Sequence, residues 1–254
     1  MTASDRKSEL GSGEIRFAAA DDSEATIGGY LAVPGEGLPR PGLLLVPDVR
    51  GLHEHYRDVA RRFAARGFVT LAIDLYSREG TPDLSDMDAV FRWMAALPDA
   101  RVLSDIGAAA RYLAAHEAVA GRRLGVTGFC MGGQYAFMAA CSVPGLSACA
   151  SWYGMVRYAE TSTVKPESPI AMAPRLACPY LGLFGAEDAI IPLTDVDALR
   201  TVLGNADKSF EIVTYDDAGH AFYNDTRPEA YRPTAARDAW PRVLAFFEEH
   251  LAAR

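Results

Sequence analysis

Six residues, Gly128-Phe129-Cys130-Met131-Gly132-Gly133, constrain the fold of this chain more tightly than any other stretch. The run before them, Arg123-Leu124-Gly125-Val126-Thr127, is short and apolar and predicts a buried strand. The run after them, from Gln134 to Cys141, is rich in good helix formers. A strand therefore meets a helix through a sharp turn written Gly-x-Cys-x-Gly. In the serine form of that pattern, the central residue is a nucleophile held on a strained turn at the top of an α/β sheet. Glycine is needed at the flanks because side chains there would strike the strand and the helix, and because glycine tolerates unusual φ. A cysteine at the centre lies beside the helix N-terminus, where unpaired N–H groups and the positive end of the dipole favour a thiolate. The same pattern also describes a plain Gly-rich turn with a buried structural cysteine, so the rest of the chain must decide between them.

Elsewhere, strands alternate with helices. Residues 14–20 and 26–33 read as an N-terminal strand pair, followed by a Pro/Gly-rich loop to Pro41. Gly42–Val46 is a continuous apolar run, as in a fully buried parallel strand, and it ends at Pro47-Asp48-Val49-Arg50-Gly51. A helix is predicted over 55–66 with Val59, Ala60 and Phe63 on one face and Gly67 as its C-cap. A buried strand follows over 68–73. Ser85 is expected to cap a helix reaching Ala96, and Asp99 to open another reaching His116 or Ala118.

Beyond the central turn, strands are predicted over 148–153, 180–184 and 210–215, and a helix over 195–203. A last helix spans 234–253, which Pro241 should kink or restart. The irregular stretch 154–177 is long enough to expect a functional flap rather than filler. The pattern implies an α/β fold, a mostly parallel central sheet with helices on both faces and right-handed crossovers. The 254 residues suit a single domain over 14–254 behind a frayed polar tail, 1–13.

Composition narrows the function classes. The net charge of -8 argues against nucleic acid, which needs a basic footprint. None of the four cysteines forms a C-x-x-C pair, which leaves zinc and thioredoxin chemistry unsupported. Cys141, Cys149 and Cys178 sit in apolar runs and are expected to be inert core residues, as in a reducing compartment. No signal-peptide core and no stretch of roughly 18 apolar residues is present, so a cytoplasmic location without a membrane partner is expected.

A thiol needs a base or a cationic partner at neutral pH. Of the five histidines, His220 follows the strand at 210–215, at the sheet edge where sites in open α/β sheets assemble. A surface loop histidine is the bland alternative. Asp188, in Gly185-Ala186-Glu187-Asp188, follows the strand at 180–184 and can fix an imidazole; Glu187 is a weaker rival. The order Cys130, Asp188, His220 is nucleophile, acid, base, the chain order of α/β-hydrolases. Three placements in one order favour a Cys–His–Asp triad. His53-Glu54-His55 has metal-ligand residue types, but no third ligand is in view, and solvated polar residues are the better reading.

Leu45-Val46-Pro47-Asp48, Ile73-Asp74-Leu75-Tyr76, Gly128-Phe129-Cys130-Met131-Gly132-Gly133, Tyr153-Gly154, Gly185-x-x-Asp188 and Ala218-Gly219-His220-Ala221-Phe222 resemble the dienelactone hydrolase family, over about 14–252. The resemblance implies an α/β-hydrolase fold and hydrolysis of an ester or lactone through a thioester, with no cofactor or metal. It implies Cys130 as nucleophile, His220 as base then acid, Asp188 as orienter, and the backbone N–H groups of Met131 and Val49 as oxyanion hole. Asp48 stands where the family prototype has a Glu that helps ionise the thiol; it could also only cap the following turn. A prototype arginine four residues after the histidine is replaced by Asn224, which puts dienelactone itself in doubt as substrate. Arg92 is a candidate for a second prototype arginine, and Arg78 or Arg227 could substitute. His53, Tyr153 and Phe222 are further pocket candidates, with Trp93 and Trp152 as apolar wall. The expected partner is a small ester or lactone, and the expected state a monomer or homodimer. A non-catalytic relative using Cys130 as a redox sensor is the alternative reading, and a peptidase or acyltransferase on the same scaffold stays open.

Overall fold

The computed structural model describes residues 12–252 except 22, 23, 36, 38, 79, 83 and 85. Most of the expected tail, 1–13, and the expected cap Ser85 therefore lie outside the described residues. The strands are β1 (Gly13–Ala18), β2 (Thr26–Ala32), β3 (Gly42–Val46), β4 (Val69–Ile73), β5 (Leu124–Phe129), β6 (Leu146–Trp152), β7 (Tyr180–Gly185) and β8 (Phe210–Tyr215). The helices are α1 (Glu54–Ala64), α2 (Met87–Ala96), α3 (Asp99–Ala115), α4 (Met131–Ser142), α5 (Pro169–Met172), α6 (Leu193–Asn205) and α7 (Pro233–Leu251).

One sheet holds them in the order β1-β2-β4-β3-β5-β6-β7-β8. β1 and β2 pair antiparallel, as do β2 and β4. Every pairing from β4 across to β8 is parallel. The runs Leu43-Leu44-Leu45-Val46 and Leu71-Ala72-Ile73 lie in the middle of the sheet and are fully buried, as a strand covered on both faces requires. β1 at the edge alternates instead, with only Phe17 of its residues buried.

Helices cover both faces. A Cβ on Gly125 would meet Phe247 and Leu251 of α7, whereas the preceding residue, Leu124, lies beside Leu113 of α3. Successive strand residues point to opposite faces, so α7 and α3 lie on opposite sides. Phe63 of α1 joins α7 through Phe247 and Trp240, at ring-centroid distances of 6.3 and 4.5 Å.

The parallel pairings bring the C-terminal ends of β3, β5, β7 and β8 to one edge. α2 is capped by Asp86, whose carboxylate accepts the Ala89 N–H at 2.7 Å. α1 ends at a cap on Ala65, and Gly67 follows two residues later with φ of 92°. α7 runs through Pro241 as one helix, so the expected restart does not occur. Pro241 lies on the exposed face, where water can serve the freed carbonyl, while Ala239, Val243, Leu244 and Phe247 anchor the buried stripe. The stretch 154–177 is partly ordered into α5 and a 3-10 turn, Ala173–Arg175.

Candidate active site

Cys130 sits between β5 and α4 with φ 56° and ψ −120°, a backbone that costs a non-glycine residue about 1–3 kcal/mol. Its neighbours impose it. A Cβ on Gly128 would lie 2.0 Å from Gly132 O, and one on Gly132 would lie 2.1 Å from Val46 O. The strand, turn and helix therefore pass closer than any side chain allows. Hydrogen bonds clamp the turn: Cys130 N–H to Trp152 O at 3.0 Å and Gln134 N–H to Cys130 O at 3.1 Å.

The loops after β7 and β8 are joined to each other. Ala186 N–H donates to Tyr215 O and Glu187 N–H to Ala218 O, both at 2.9 Å. That junction sets Asp188 beside His220. One carboxylate oxygen, Oδ2, lies 2.8 Å from His220 Nδ1. The other, Oδ1, accepts the N–H groups of Ile190 and Ile191 at 2.8 and 3.1 Å. Both carboxylate oxygens are thus committed, and Asp188 is buried. The imidazole takes a fixed orientation with Nε2 buried and outside any hydrogen bond of good geometry.

Burial pushes the His220 pKa down, but negative charge at Cys130 and the hydrogen bond to Asp188 outweigh it and raise the ring to about 10. Cys130, His220, Asp48, Val49 and Arg227 all line one cavity of about 360 Å³. Met131 opens α4, so its N–H belongs to the first turn, which has no intrahelical acceptor. The Val49 carbonyl accepts from Tyr76 OH, which fixes the Val49–Arg50 peptide that follows the Val49 N–H.

Asp48 is buried and accepts the Arg50 N–H at 2.8 Å, so it does cap the turn. Burial alone would raise its pKa; hydrogen bonding to His53 and to the Arg50 backbone instead holds it below the ordinary value. His53 Nε2 lies 3.8 Å from Asp48 Oδ1 and is not among the residues lining the cavity. His55 turns away to Asp225, and no group of three or more potential metal ligands occurs among the described residues. Tyr153 is buried and its ring packs edge-on to His220 at 5.2 Å. Phe222 packs behind it as core, 5.3 Å from Tyr153.

None of the five expected pocket residues, His53, Arg78, Tyr153, Phe222 and Asn224, lines this cavity, and two of them are committed to other contacts. Arg78 pairs with Asp21 and Asp105, in a cluster with Arg101 against α3. Asn224 is buried, and its Oδ1 accepts from the Thr226 N–H at 3.1 Å and hydroxyl at 2.7 Å, closing its own turn. The cavity is instead walled by Leu84, Met87 and Val90 around α2, and by Ile190 and Ala221 next to the predicted acid and base. Ile190 and Ala221 could have been read from adjacency in sequence. The α2 residues carried no such signal, because only Val90 of that helix is buried. Cys141, Cys149 and Cys178 are buried free thiols; burial raises all three, Cys141 and Cys178 to about 12.

The sequence pattern of the Dienelactone hydrolase family matches residues 27–251. The chain belongs to the dienelactone hydrolase family. It is 36% identical over 242 residues to a Methylorubrum extorquens protein with a provisional carboxymethylenebutenolidase name, covering 94% of this chain and 81% of that one. A Salmonella typhimurium protein provisionally named the same way is 39% identical, over 83% of this chain and 77% of the relative. A crystal structure of a provisionally assigned dienelactone hydrolase from Klebsiella pneumoniae superposes with TM-score 0.84 at 36% identity, covering 93% and 99% of the two chains. The family fold is the α/β-hydrolase sheet described above, and the chain is a hydrolase of this type. No helix among the described residues is long and apolar enough to cross a membrane.

Proposed function

We propose that this dienelactone hydrolase family member cleaves a small carboxylic ester or lactone by cysteine nucleophilic catalysis. The observation that carries the reading is the Asp188–His220 contact at 2.8 Å, with His220 on the same cavity wall as Cys130. In the resting site His220 Nε2 holds the proton taken from Cys130, and the thiolate attacks the substrate carbonyl. The carbonyl oxygen gains charge between the N–H groups of Met131 and Val49, where fixed donors contribute most. As the C–O bond breaks, the imidazolium returns its proton to the leaving oxygen. Water then gives a proton to His220 and attacks the thioester, releasing the acid and restoring the thiol.

The cavity wall supports an uncharged substrate. Arg50 and Arg227 are matched in number by Asp48 and Asp86 among the lining residues, and Arg227 Nε is already 2.9 Å from Glu229. Asn224 contributes no charge. Neutral lactones and short aryl esters are therefore expected to turn over better than anionic dienelactone. The test is Cys130→Ala assayed with p-nitrophenyl acetate beside wild type. Loss of turnover supports the mechanism, and retention of most activity excludes it.

A further inference from the structure

A second cavity, of about 370 Å³, has Met131 in its wall. Phe91, Met94, Met131, Gln134, Met155 and Tyr158 wall it. Met131 directly follows Cys130, and consecutive Cα atoms are about 3.8 Å apart. α2 covers both spaces with successive turns, Met87 and Val90 over the first and Phe91 and Met94 over the second. Met87 and Phe91 are 53% and 42% exposed, two of the three large apolar side chains so exposed among the described residues. Apolar surface left open on the rims of two cavities covered by one helix marks a place where a ligand completes the packing.

The floor of this cavity is neutral and rigid. Lys165 Nζ donates to Asp99 Oδ1 at 2.7 Å and to Tyr135 OH at 3.0 Å. Tyr135 OH and Tyr158 OH both donate to the Asp99 carboxylate, at 2.9 and 3.0 Å. Because Tyr158 spends its hydrogen on Asp99, it can only accept from Gln134, which therefore presents Nε2 to it at 2.7 Å. The amide orientation follows, and Gln134 Oε1 is left buried with no partner among the described residues. An unpaired buried acceptor is costly until a donor meets it. The thioethers on the same cavity bend readily enough to admit one.

We propose that this cavity is a substrate subsite for an uncharged apolar arm, aryl or alkyl, of the ester whose carbonyl lies at Cys130, with preference for an arm carrying one N–H or O–H donor for Gln134 Oε1. The subsite rests on the reading of Cys130 as nucleophile. The arm adds binding through buried apolar area, and the internally neutralised Asp99–Lys165 pair offers a charged arm nothing.

The experiment uses p-nitrophenyl acetate, p-nitrophenyl phenylbutanoate and phenylbutanamide as probes. Ala95→Trp and Ala159→Trp fill the cavity from two exposed positions on its rim. Wild type should show a KM for the phenylbutanoate about tenfold below that for the acetate. Each filling variant should cancel that difference while leaving kcat/KM for the acetate unchanged. Calorimetry should show phenylbutanamide binding to Cys130→Ala protein and not to Cys130→Ala combined with Ala95→Trp. A KM ratio that neither filling variant moves, or absence of amide binding to the Cys130→Ala protein, overturns the subsite. Turnover surviving in Cys130→Ala would instead refute the nucleophile, with the amide titration still reporting on the cavity.

Discussion

Asp188→Asn is a sharper probe of the site than removal of the acid, because the surrounding backbone dictates how the amide must sit. In the native protein, Oδ1 accepts two N–H groups, from Ile190 and Ile191. An asparagine at 188 must keep its only oxygen there, since turning its NH2 toward two donors would leave them all unpaired. The NH2 then faces His220 Nδ1, where the carboxylate oxygen stood at 2.8 Å. A donor at that position requires Nδ1 to be an acceptor, so the ring proton moves to Nε2. A protonated Nε2 cannot take the Cys130 proton. Trapping the wrong tautomer in a serine-protease triad with intact geometry costs about 10,000-fold in kcat, or about 5 kcal/mol of barrier. The same order of loss is expected here for p-nitrophenyl acetate, with KM little changed. The His220 pKa should also fall, because one of the contacts that raises it is gone while its burial remains. A variant with kcat within about tenfold of wild type, at unchanged fold, would refute the reasoning.

Three further outcomes follow from the same contacts. His220 is raised from 6.5 to about 10 in the folded protein, so its contribution to stability is complete below 6.5 and is lost as pH rises through about 10; kcat/KM should fall over that upper range as the proton donor to the leaving oxygen is lost, as a pH–rate profile would register. Lys165→Met should cost about 3–5 kcal/mol in chemical denaturation by stranding the buried Asp99 carboxylate, and a paired Asp99→Leu substitution should recover much of that loss. Arg78→Gln should lower the melting temperature and leave KM for a short ester unaltered, because its partners Asp21 and Asp105 lie outside the cavity.

The parts of the fold visible in the sequence are those governed by local rules. Gly42–Val46 and Phe210–Tyr215 coincide with the predicted strands because uninterrupted or β-branched apolar runs admit little else. The turn at Cys130 was legible because three glycines at fixed spacing mark contacts too close for a Cβ. The juxtaposition of Asp188 and His220 followed from one rule, that parallel strands end at a common edge.

What escaped was set by contacts distant in sequence. Arg78 looked like a free cation until Asp105, 27 residues on, claimed it. Lys165, which no local pattern singles out, reaches Asp99 across 66 residues and pins the stretch expected to be a flap. Asn224 was read for the charge it lacks, whereas its oxygen is spent on the local turn at Thr226. α2 hid its role because an apolar side chain that walls a cavity, such as Met87 or Phe91, looks in sequence like one that packs on the core.

Covalent trapping bears most directly on the nucleophile. Wild-type protein turning over p-nitrophenyl acetate, quenched in acid within the first turnovers and digested for mass spectrometry, should carry one acetyl group on the peptide containing Cys130 and none on those containing Cys141, Cys149 or Cys178. Sustained turnover with Cys130 unmodified throughout, or with the acetyl group on another residue, would contradict the account.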